Sequence, residues 1–336
     1  MVLNMELGEN SYDIVVERGA LAKIGTYLNL NRKVLVLTDD GVPSKYAKAI
    51  HDASKNGYIY TIPQGEASKS FENYKNILSF MAENSFTRTD CVVTVGGGVV
   101  GDLGGFVAST YMRGIDFYNV PTTLLSQLDS SIGGKVAIDL DGIKNIVGAF
   151  YQPKMVVIDP DTLKTLDDRQ KMAGLCECIK MAATMDNDLF CLIENSQSLE
   201  SDLEKIILGG LKLKKTVVEK DPHEKNLRKV LNFGHTIGHA IESVSDFGLL
   251  HGECVALGML PMASIDVRAR LENVLKKYNL PTKIDASSDI LLDYIKRDKK
   301  AKGDKVTVIY VSEIGKFQMI DVKITDMKKY IDGGIL

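Results

Sequence analysis

Short apolar runs rich in β-branched residues alternate with stretches of helical spacing through the first half of the chain. The run Lys33–Thr38 (KVLVLT) predicts a buried strand, followed by Asp39-Asp40-Gly41 and a helix opening near Pro43. Tyr58–Ile62 predicts a second strand, ending in the turn Pro63-Gln64-Gly65-Glu66. Phe71–Glu83 has helical spacing, and Cys91–Val95 (CVVTV) predicts a third strand. Met155–Asp159 (MVVID) predicts the last strand of this region, closed by Pro160. Strands separated by helices of this length imply a parallel sheet with helices on both faces.

From Thr162 onward the pattern turns helical, over Asp167–Met185, Ser198–Lys220, Asn232–Ser245 and Cys254–Leu271. Only Lys305–Val311 and Phe317–Ile320 read as strands there, a hairpin around Glu313-Ile314-Gly315. The expected fold is therefore α/β. A Rossmann-like parallel-sheet domain covers residues 1–160, a mainly helical domain covers 161–336, and the boundary falls near Asp159–Leu166.

The third strand runs into GGGVVGDLGGF, Gly96–Phe106, in which Gly96, Gly98 and Gly101 satisfy G-x-G-x-x-G between a strand and a helix. Glycine lets the backbone approach a pyrophosphate, and a helix N-terminus presents free N–H groups and the positive end of a dipole. By itself the pattern is weak. It lies well past the first strand, and Asp102 follows its last glycine directly. Thr122 and Thr123 follow Pro121 at the end of an apolar run, suited to capping a helix or bonding a ribose or phosphate. Asp129 and Lys135 bracket a second glycine pair, Gly133-Gly134, and a Gly-Gly-Lys loop is a good anion cradle. Lys144-Asn145 repeats the theme on a turn.

Three of the five histidines, His235, His239 and His251, fall in LNFGHTIGHAIESVSDFGLLHGECVALG, each beside glycine. His235 and His239 are four apart and share one face of a helix. A lone helix histidine usually caps or fills a core; three in this spacing point to a metal or anion site. Glu177 and Lys180, in GLCECIK, stand three apart on one helix face, which is ordinary for a surface ion pair. Glu177 is flanked by apolar residues, however, and a carboxylate with two imidazoles is a common catalytic zinc set. Helical spacing would also bring Asn232, His235 and His239 onto one face, with Arg228 close by.

Composition changes this picture little. The chain has 336 residues, 45% hydrophobic and 25% charged, and a net charge of −3, as expected of a globular protein with no call for nucleic acid or an anionic membrane. No N-terminal apolar run follows a basic start, and no apolar window is long enough to span a bilayer. Five cysteines, an odd number, fit free thiols in a reducing cytoplasm. Cys176 and Cys178 have the wrong spacing for a CxxC motif and read as small helix-packing residues. Local basic clusters remain, at Lys212, Lys214 and Lys215 and at Lys296, Arg297, Lys299 and Lys300.

The residues together imply NAD, a divalent metal and a basic substrate pocket at a domain junction. That combination describes a polyol or alcohol dehydrogenase. It equally describes an enzyme that oxidises its substrate transiently and uses the ketone for elimination, and the number of basic groups favours the second.

Seven segments, GGGVVGDLGGF, NVPTTLLSQLDSSIGGKVAID, KNIVGAFYQP, GLCECIK, LNFGHTIGHAIE, LLHGECVALGM and DKKAKGDKVTVI, resemble the 3-dehydroquinate synthase family in its order. The resemblance runs from about Gly96 to Ile309, with weaker matches back to Asp39. It implies metal ligands at Glu177, His235 and His251, holding zinc or cobalt, and it moves His239 to the substrate phosphate. NAD contacts are implied at Asp39, Glu66, Lys69, Gly97, Gly98, Val99, Val100, Gly101, Asp102, Thr122, Thr123, Lys144, Thr162, Leu163, Lys164 and Thr165. Asp129 is implied where nicotinamide and substrate meet, with Lys135 serving cofactor and substrate. Substrate contacts are implied at Asn145, Lys180, Lys214, Arg228, Asn232 and His239, and at Lys299 in the late basic run. Arg113 matches an arginine that reaches into a neighbouring subunit, which implies a homodimer.

The implied reaction converts 3-deoxy-D-arabino-heptulosonate 7-phosphate to 3-dehydroquinate and phosphate, in the shikimate pathway. Oxidation by NAD, loss of phosphate, re-reduction, ring opening and an intramolecular aldol follow in turn, so the net step is a lyase reaction. Departures from the family pattern are mild: Cys176 and Cys178 stand for Ala and Val, Val136 for Thr, and Phe233 for Leu. The rivals are a metal-dependent glycerol or alcohol dehydrogenase, a sugar-phosphate cyclase of another substrate, and a catalytically silent NAD-binding regulator.

Overall fold

A computed structural model describes residues 1–245, 248–298 and 303–333. The chain forms two compact units, Met1–Asp167 and Asp168–Leu336. The first runs past Pro160 because Pro160–Thr165 forms a 3₁₀ turn tied back into it. Arg18 pairs with Asp161 at 2.8 Å, and Gln127 Nε2 donates to Thr162 Oγ1 at 3.0 Å.

The strands of the first unit are β1 (Val2–Met5), β2 (Tyr12–Val16), β3 (Lys33–Asp39), β4 (Asn56–Ile62), β5 (Cys91–Gly96), β6 (Asp116–Pro121), β7 (Lys135–Leu140), β8 (Ile143–Phe150) and β9 (Met155–Ile158). Its helices are α1 (Ser44–Ala53), α2 (Phe71–Glu83) and α3 (Gly98–Thr110). Among the described residues seven strands form one sheet, in the order β1-β2-β9-β6-β5-β3-β4. From β2 to β4 every pair is parallel, and β1 adds an antiparallel edge. Every residue of β5 is buried, as expected of a strand covered on both faces. Val34, Val36, Val93 and Val95 face α1, whereas Leu35, Leu37 and Val92 pack with α2 and α3. The chain thus leaves β3 and β5 toward opposite faces, and the carboxyl ends of these neighbours form the switch point where ligands bind in open α/β sheets.

Five strands of the first unit escape the sequence reading. β1 and β2 are short, and β6 hides behind Asp116 and Asn119. Asn119 is buried because its Oδ1 accepts from Thr94 Oγ1 at 3.1 Å. β7 and β8 pair with each other as a separate antiparallel hairpin. Lys135, expected in a Gly-Gly-Lys loop, is instead the first residue of β7, and Lys144 and Asn145 lie on β8 just after its turn.

The second unit holds α4 (Asp168–Met185), α5 (Asn187–Asn195), α6 (Leu199–Lys220), α7 (His235–Val244), α8 (His251–Met259), α9 (Ile265–Lys277), α10 (Ser288–Asp298) and α11 (Met327–Ile331). Strands β10 (Lys305–Glu313) and β11 (Lys316–Lys323) form the expected hairpin, with Gly315 at φ 85° in its turn. α5 was not foreseen; Asp186 starts it by accepting from Leu189 N–H at 3.0 Å.

Two expected helices are broken. Asn232–Ser245 is not continuous: Leu227–Asn232 is a 3₁₀ turn, and Gly234 at φ 78° separates it from α7. Asn232 therefore does not share a helix face with His235 and His239. Cys254–Leu271 splits at Leu260–Met262, where Pro261 lacks the N–H to continue, and Ser264 caps α9.

Candidate active site

Glu177 lies at the centre of α4, in a run of twelve buried residues from Ala173 to Thr184, and is itself fully buried. One turn on, Lys180 is 2% exposed and its ammonium donates to Glu177 Oε2. The other oxygen, Oε1, has no hydrogen-bond partner among the described residues. It faces two imidazoles, His251 Nε2 at 3.6 Å and His235 Nε2 at 4.0 Å. His235 Nδ1 lies 3.1 Å from the Phe233 carbonyl, which can only accept, so Nδ1 carries the proton and Nε2 offers its lone pair.

The rings of His235 and His239, and of His235 and His251, are 5.3 Å apart. All three histidines present nitrogens within 4.8 Å of one another. Burial, then the Lys180 charge and the neighbouring imidazoles, hold His235 well below the ordinary histidine range, so it is neutral and able to ligate. For His251 burial acts the same way, but the hydrogen bond it donates to Glu242 and the Glu177 and Glu242 charges outweigh it and raise its proton affinity.

Glycines beside the histidines create this convergence. A Cβ on Gly252 would lie 1.9 Å from the Ala173 carbonyl oxygen, so α8 touches the backbone of α4 one turn before Glu177. A Cβ on Gly258 would lie 2.0 Å from the Gly234 oxygen, and one on Gly238 3.0 Å from the Cys254 oxygen, bringing α7 against α8. Arg169, in the first turn of α4, adds a two-pronged ion pair to Glu253, both oxygens at 2.7 Å. Glu253 Oε2 also accepts from Leu250 N–H at 2.8 Å and so holds the start of α8.

The basic residues sort by burial. Lys214 and Arg228 are 4% and 3% exposed, whereas Lys212 is exposed and Lys215 pairs with Glu219 at 2.8 Å. The Arg228 guanidinium donates to the Pro222 carbonyl at 2.7 Å. Its loop is pinned by Asp221, which accepts from the N–H groups of Lys225, Asn226 and Arg228 at 2.9, 2.7 and 3.0 Å. Asn232 is exposed and its amide donates to Glu224 Oε1 at 2.8 Å; His239 is exposed too. Lys299 lies outside the described residues.

In the first unit the glycine turn sits at the switch point. Gly97 caps α3, and a Cβ there would meet Thr123 Cγ2 at 3.1 Å; one on Gly98 would meet Ser130 Oγ at the same distance. Ser130 Oγ is buried with no hydrogen-bond partner among the described residues, and it closes the π-turn Ser126–Ser130 that carries Asp129. Val99, Val100, Gly101 and Asp102 form the next turn of α3. Thr122 N–H donates to the Gly96 carbonyl at 2.9 Å.

Beside the turn, Lys69 is 3% exposed, with its ammonium 2.8 Å from Asp102 and 3.5 Å from Glu66 and donating to Asn145 Oδ1. Burial alone would ease its proton off, but the Asp102 and Glu66 charges hold it more firmly than usual. Asp39 ends β3 and burial pushes its carboxyl upward. Thr162 and Leu163 are buried, whereas Lys164 pairs with Asp161 at 2.9 Å on the surface. Lys135 and Lys144 are exposed. Arg113 sits in a left-handed backbone, φ 70°, directly after Met112 at φ 50°, and Asn145 and Glu224 share that region at 55° and 56°. Such conformations persist where surrounding structure holds them and cluster at functional sites.

Residues 59–173 match the family described as 3-dehydroquinate synthase N-terminal, and residues 174–301 the one described as 3-dehydroquinate synthase C-terminal. The chain is 40% identical to the 3-dehydroquinate synthase of Enterococcus faecalis (strain ATCC 47077 / OG1RF), covering 100% of both chains. To that of Clostridium acetobutylicum it is 41% identical over 98% of each. The chain belongs to the 3-dehydroquinate synthase family. It is an enzyme of the sugar phosphate cyclase type. A crystal structure of 2-deoxy-scyllo-inosose synthase complexed with carbaglucose-6-phosphate, NAD+ and Co2+ shares its fold, with a TM-score of 0.88, 27% identity and full coverage of both chains.

Within this 3-dehydroquinate synthase framework, three residues that the sequence reading passed over stand against the expected site. They are Glu224 beside Asn232, Ser130 beside Gly98, and Glu242, whose Oε2 is 3.2 Å from His251 Nδ1. Glu242 was open to discovery, since it lies seven residues after His235 and so on its helix face. Glu224 and Ser130 carry no such periodic signal.

Proposed function

We propose that the chain converts 3-deoxy-D-arabino-heptulosonate 7-phosphate to 3-dehydroquinate and phosphate, with NAD and one divalent cation, zinc or cobalt. Glu177 Oε1 supports this most strongly: a fully buried carboxylate oxygen without a hydrogen-bond partner among the described residues, facing two imidazole Nε2 atoms. Such an oxygen is costly to bury unless a cation completes it. Two nitrogens and one carboxylate oxygen fit zinc or cobalt with positions left open. We therefore take Glu177, His235 and His251 as ligands and leave His239 to the substrate phosphate. NAD fits the glycine turn, where a Cβ at Gly97 or Gly98 would crowd Thr123 Cγ2 or Ser130 Oγ beside the helix N-terminus that would receive the pyrophosphate.

Bound NAD supplies a transient hydride acceptor, and the bound cation supplies Lewis acidity toward substrate hydroxyls. The chain's own groups do the rest. Buried Lys214 and Arg228 give preorganised positive charge for the substrate's phosphate and carboxylate, with Lys180, Lys135, Asn145, Asn232 and His239 orienting its polar groups. Asp129 lies by the nicotinamide, and Lys69, Asp39 and Glu66 fix the cofactor. Arg113 reaches a second copy, making the enzyme a homodimer. The five free cysteines support a reducing, cytoplasmic compartment. Among the described residues no helix is long and apolar enough to cross a membrane.

The test is phosphate release from 3-deoxy-D-arabino-heptulosonate 7-phosphate with catalytic NAD and zinc, followed together with NADH absorbance. Phosphate release with no NADH accumulating, stopped by a chelator, is the expected outcome. NADH building up on glycerol with no phosphate release would move the chain to the dehydrogenases. Sedimentation at micromolar concentration reads the dimer, and a monomer would remove Arg113 from the site.

A further inference from the structure

The imidazoles of His235 and His251 are held by unlike partners. His235 Nδ1 donates to the carbonyl of Phe233, two residues earlier, and so is fixed by local backbone. His251 opens α8, its ring is 34% exposed against 15% for His235, and its Nδ1 faces Glu242 Oε2 at 3.2 Å. An ionised carboxylate only accepts, so in the neutral ring this contact puts the proton on Nδ1 and leaves the Nε2 lone pair facing Glu177 Oε1 at 3.6 Å. Without it the ring is free to turn about its side-chain bonds or to move its proton to Nε2, and either change removes the lone pair.

We infer that Glu242 is a positioning residue for the cation: it sets the tautomer and the ring plane of His251 and acts on the cation only through that ring. The inference rests on the proposed cation site. A mere strut between α7 and α8 is the bland alternative. The glycine approaches at Gly234, Gly238 and Gly258 already clamp those helices, so little is left for a strut to do.

The full chain is titrated with zinc in competition with a chromophoric chelator, and with cobalt while its visible bands are recorded. Parent, Glu242→Ala, Glu242→Gln and His251→Ala are compared, each checked by thermal unfolding without metal. Removing the outer partner of a ligating histidine typically costs about 10–100-fold in metal affinity, and that loss is expected for Glu242→Ala, with shifted cobalt bands and a near-parental unfolding temperature. Glu242→Gln keeps an oxygen that accepts from Nδ1 and should recover part of the affinity. Glu242→Ala binding zinc as tightly as the parent, while His251→Ala loses it, would overturn the role of Glu242 alone. Equal losses in the alanine and glutamine variants that merely track a fall in unfolding temperature would reduce it to a strut. If His251→Ala keeps full affinity, the cation site itself is misplaced and this inference goes with it.

Discussion

The two units use glycine in opposite ways. In the first, a Cβ on Gly97 or Gly98 would meet only side-chain atoms, Thr123 Cγ2 and Ser130 Oγ, both at 3.1 Å. The missing side chain there leaves room beside a half-buried helix N-terminus, and in the proposed NAD site the backbone would do the binding. In the second unit, a Cβ on Gly252 or Gly258 would lie 1.9 or 2.0 Å from a carbonyl oxygen of another helix. Glycine there lets helices touch, and in the proposed cation site side chains from α4, α7 and α8 would do the binding. A backbone-built site is written in a dozen consecutive residues; a side-chain-built site exists only once distant helices have closed.

The largest effect should come from the charge at the heart of the second site. Lys180 and Glu177 are 2% and 0% exposed, and the lysine is hydrogen-bonded to the carboxylate. Removing one partner of a buried pair leaves a desolvated charge and costs about 3–5 kcal/mol. Metal-free Lys180→Met should lose about that much in denaturant unfolding, and zinc should restore part of it by taking over Glu177. A loss below about 1 kcal/mol would mean that water reaches the pair, and the contrast with the first unit would weaken.

Next comes Gly252→Ala. Its Cβ would strike the backbone of Ala173, which cannot rotate aside, so α8 must shift away from α4. Overpacking of this kind costs about 1–3 kcal/mol, and a backbone clash belongs at the upper end. Because His251 is the neighbouring residue, zinc affinity should fall along with stability. Unchanged zinc affinity would show that α8 can retreat without carrying the imidazole with it.

What the sequence disclosed follows the same division. The strand–glycine–helix turn was legible in order, since β5, Gly97 and α3 are contiguous and the periodicity changes between them. The three histidines were legible as a group, but spacing alone favoured His235 with His239. Nothing in the spacing announces that Glu177, nearly sixty residues earlier, comes within 4.0 Å of His235. That approach depends on Gly252 meeting Ala173, a contact between helices. The resemblance to a family supplied what periodicity could not. The expected alignment of Asn232 with His235 failed for a local reason, the left-handed Gly234, which helical spacing cannot register. β6 was obscured by Asn119, a polar residue whose burial is satisfied by Thr94 on the adjacent strand.

A smaller effect should separate the two kinds of glycine inside the first unit. Gly98→Ala puts a methyl group toward Ser130 Oγ, into the proposed cofactor space, and should weaken NAD binding about tenfold, or 1.4 kcal/mol, with the unfolding temperature little changed. Gly104 lies on the same helix, but there a Cβ would come 2.2 Å from Thr94 Cγ2 on β5. Gly104→Ala should therefore lose about 1–3 kcal/mol of stability through overpacking. Calorimetry with NAD and thermal unfolding of both variants read the difference. Equal NAD losses would mean that the whole helix, not its first turn, sets cofactor affinity.

The smallest effect is expected where the picture of the second unit looks most electrostatic. Arg169 grips both oxygens of Glu253 at 2.7 Å and so joins α4 to α8 at the same junction as Gly252. Its side chain is 54% exposed, however, so water screens the guanidinium and already solvates much of it. Pairs of that kind are worth about 0–1 kcal/mol. Glu253 would keep the Leu250 N–H and hence its hold on the start of α8. Arg169→Ala should cost no more than about 1 kcal/mol and leave zinc affinity near the parent value, at any salt concentration. If it matched Gly252→Ala in both readouts, the ion pair would be what brings His251 to Glu177, and the helix contact would be its consequence. The geometry argues the other way: a carbonyl oxygen that a Cβ would approach to 1.9 Å leaves no gap for an ion pair to close.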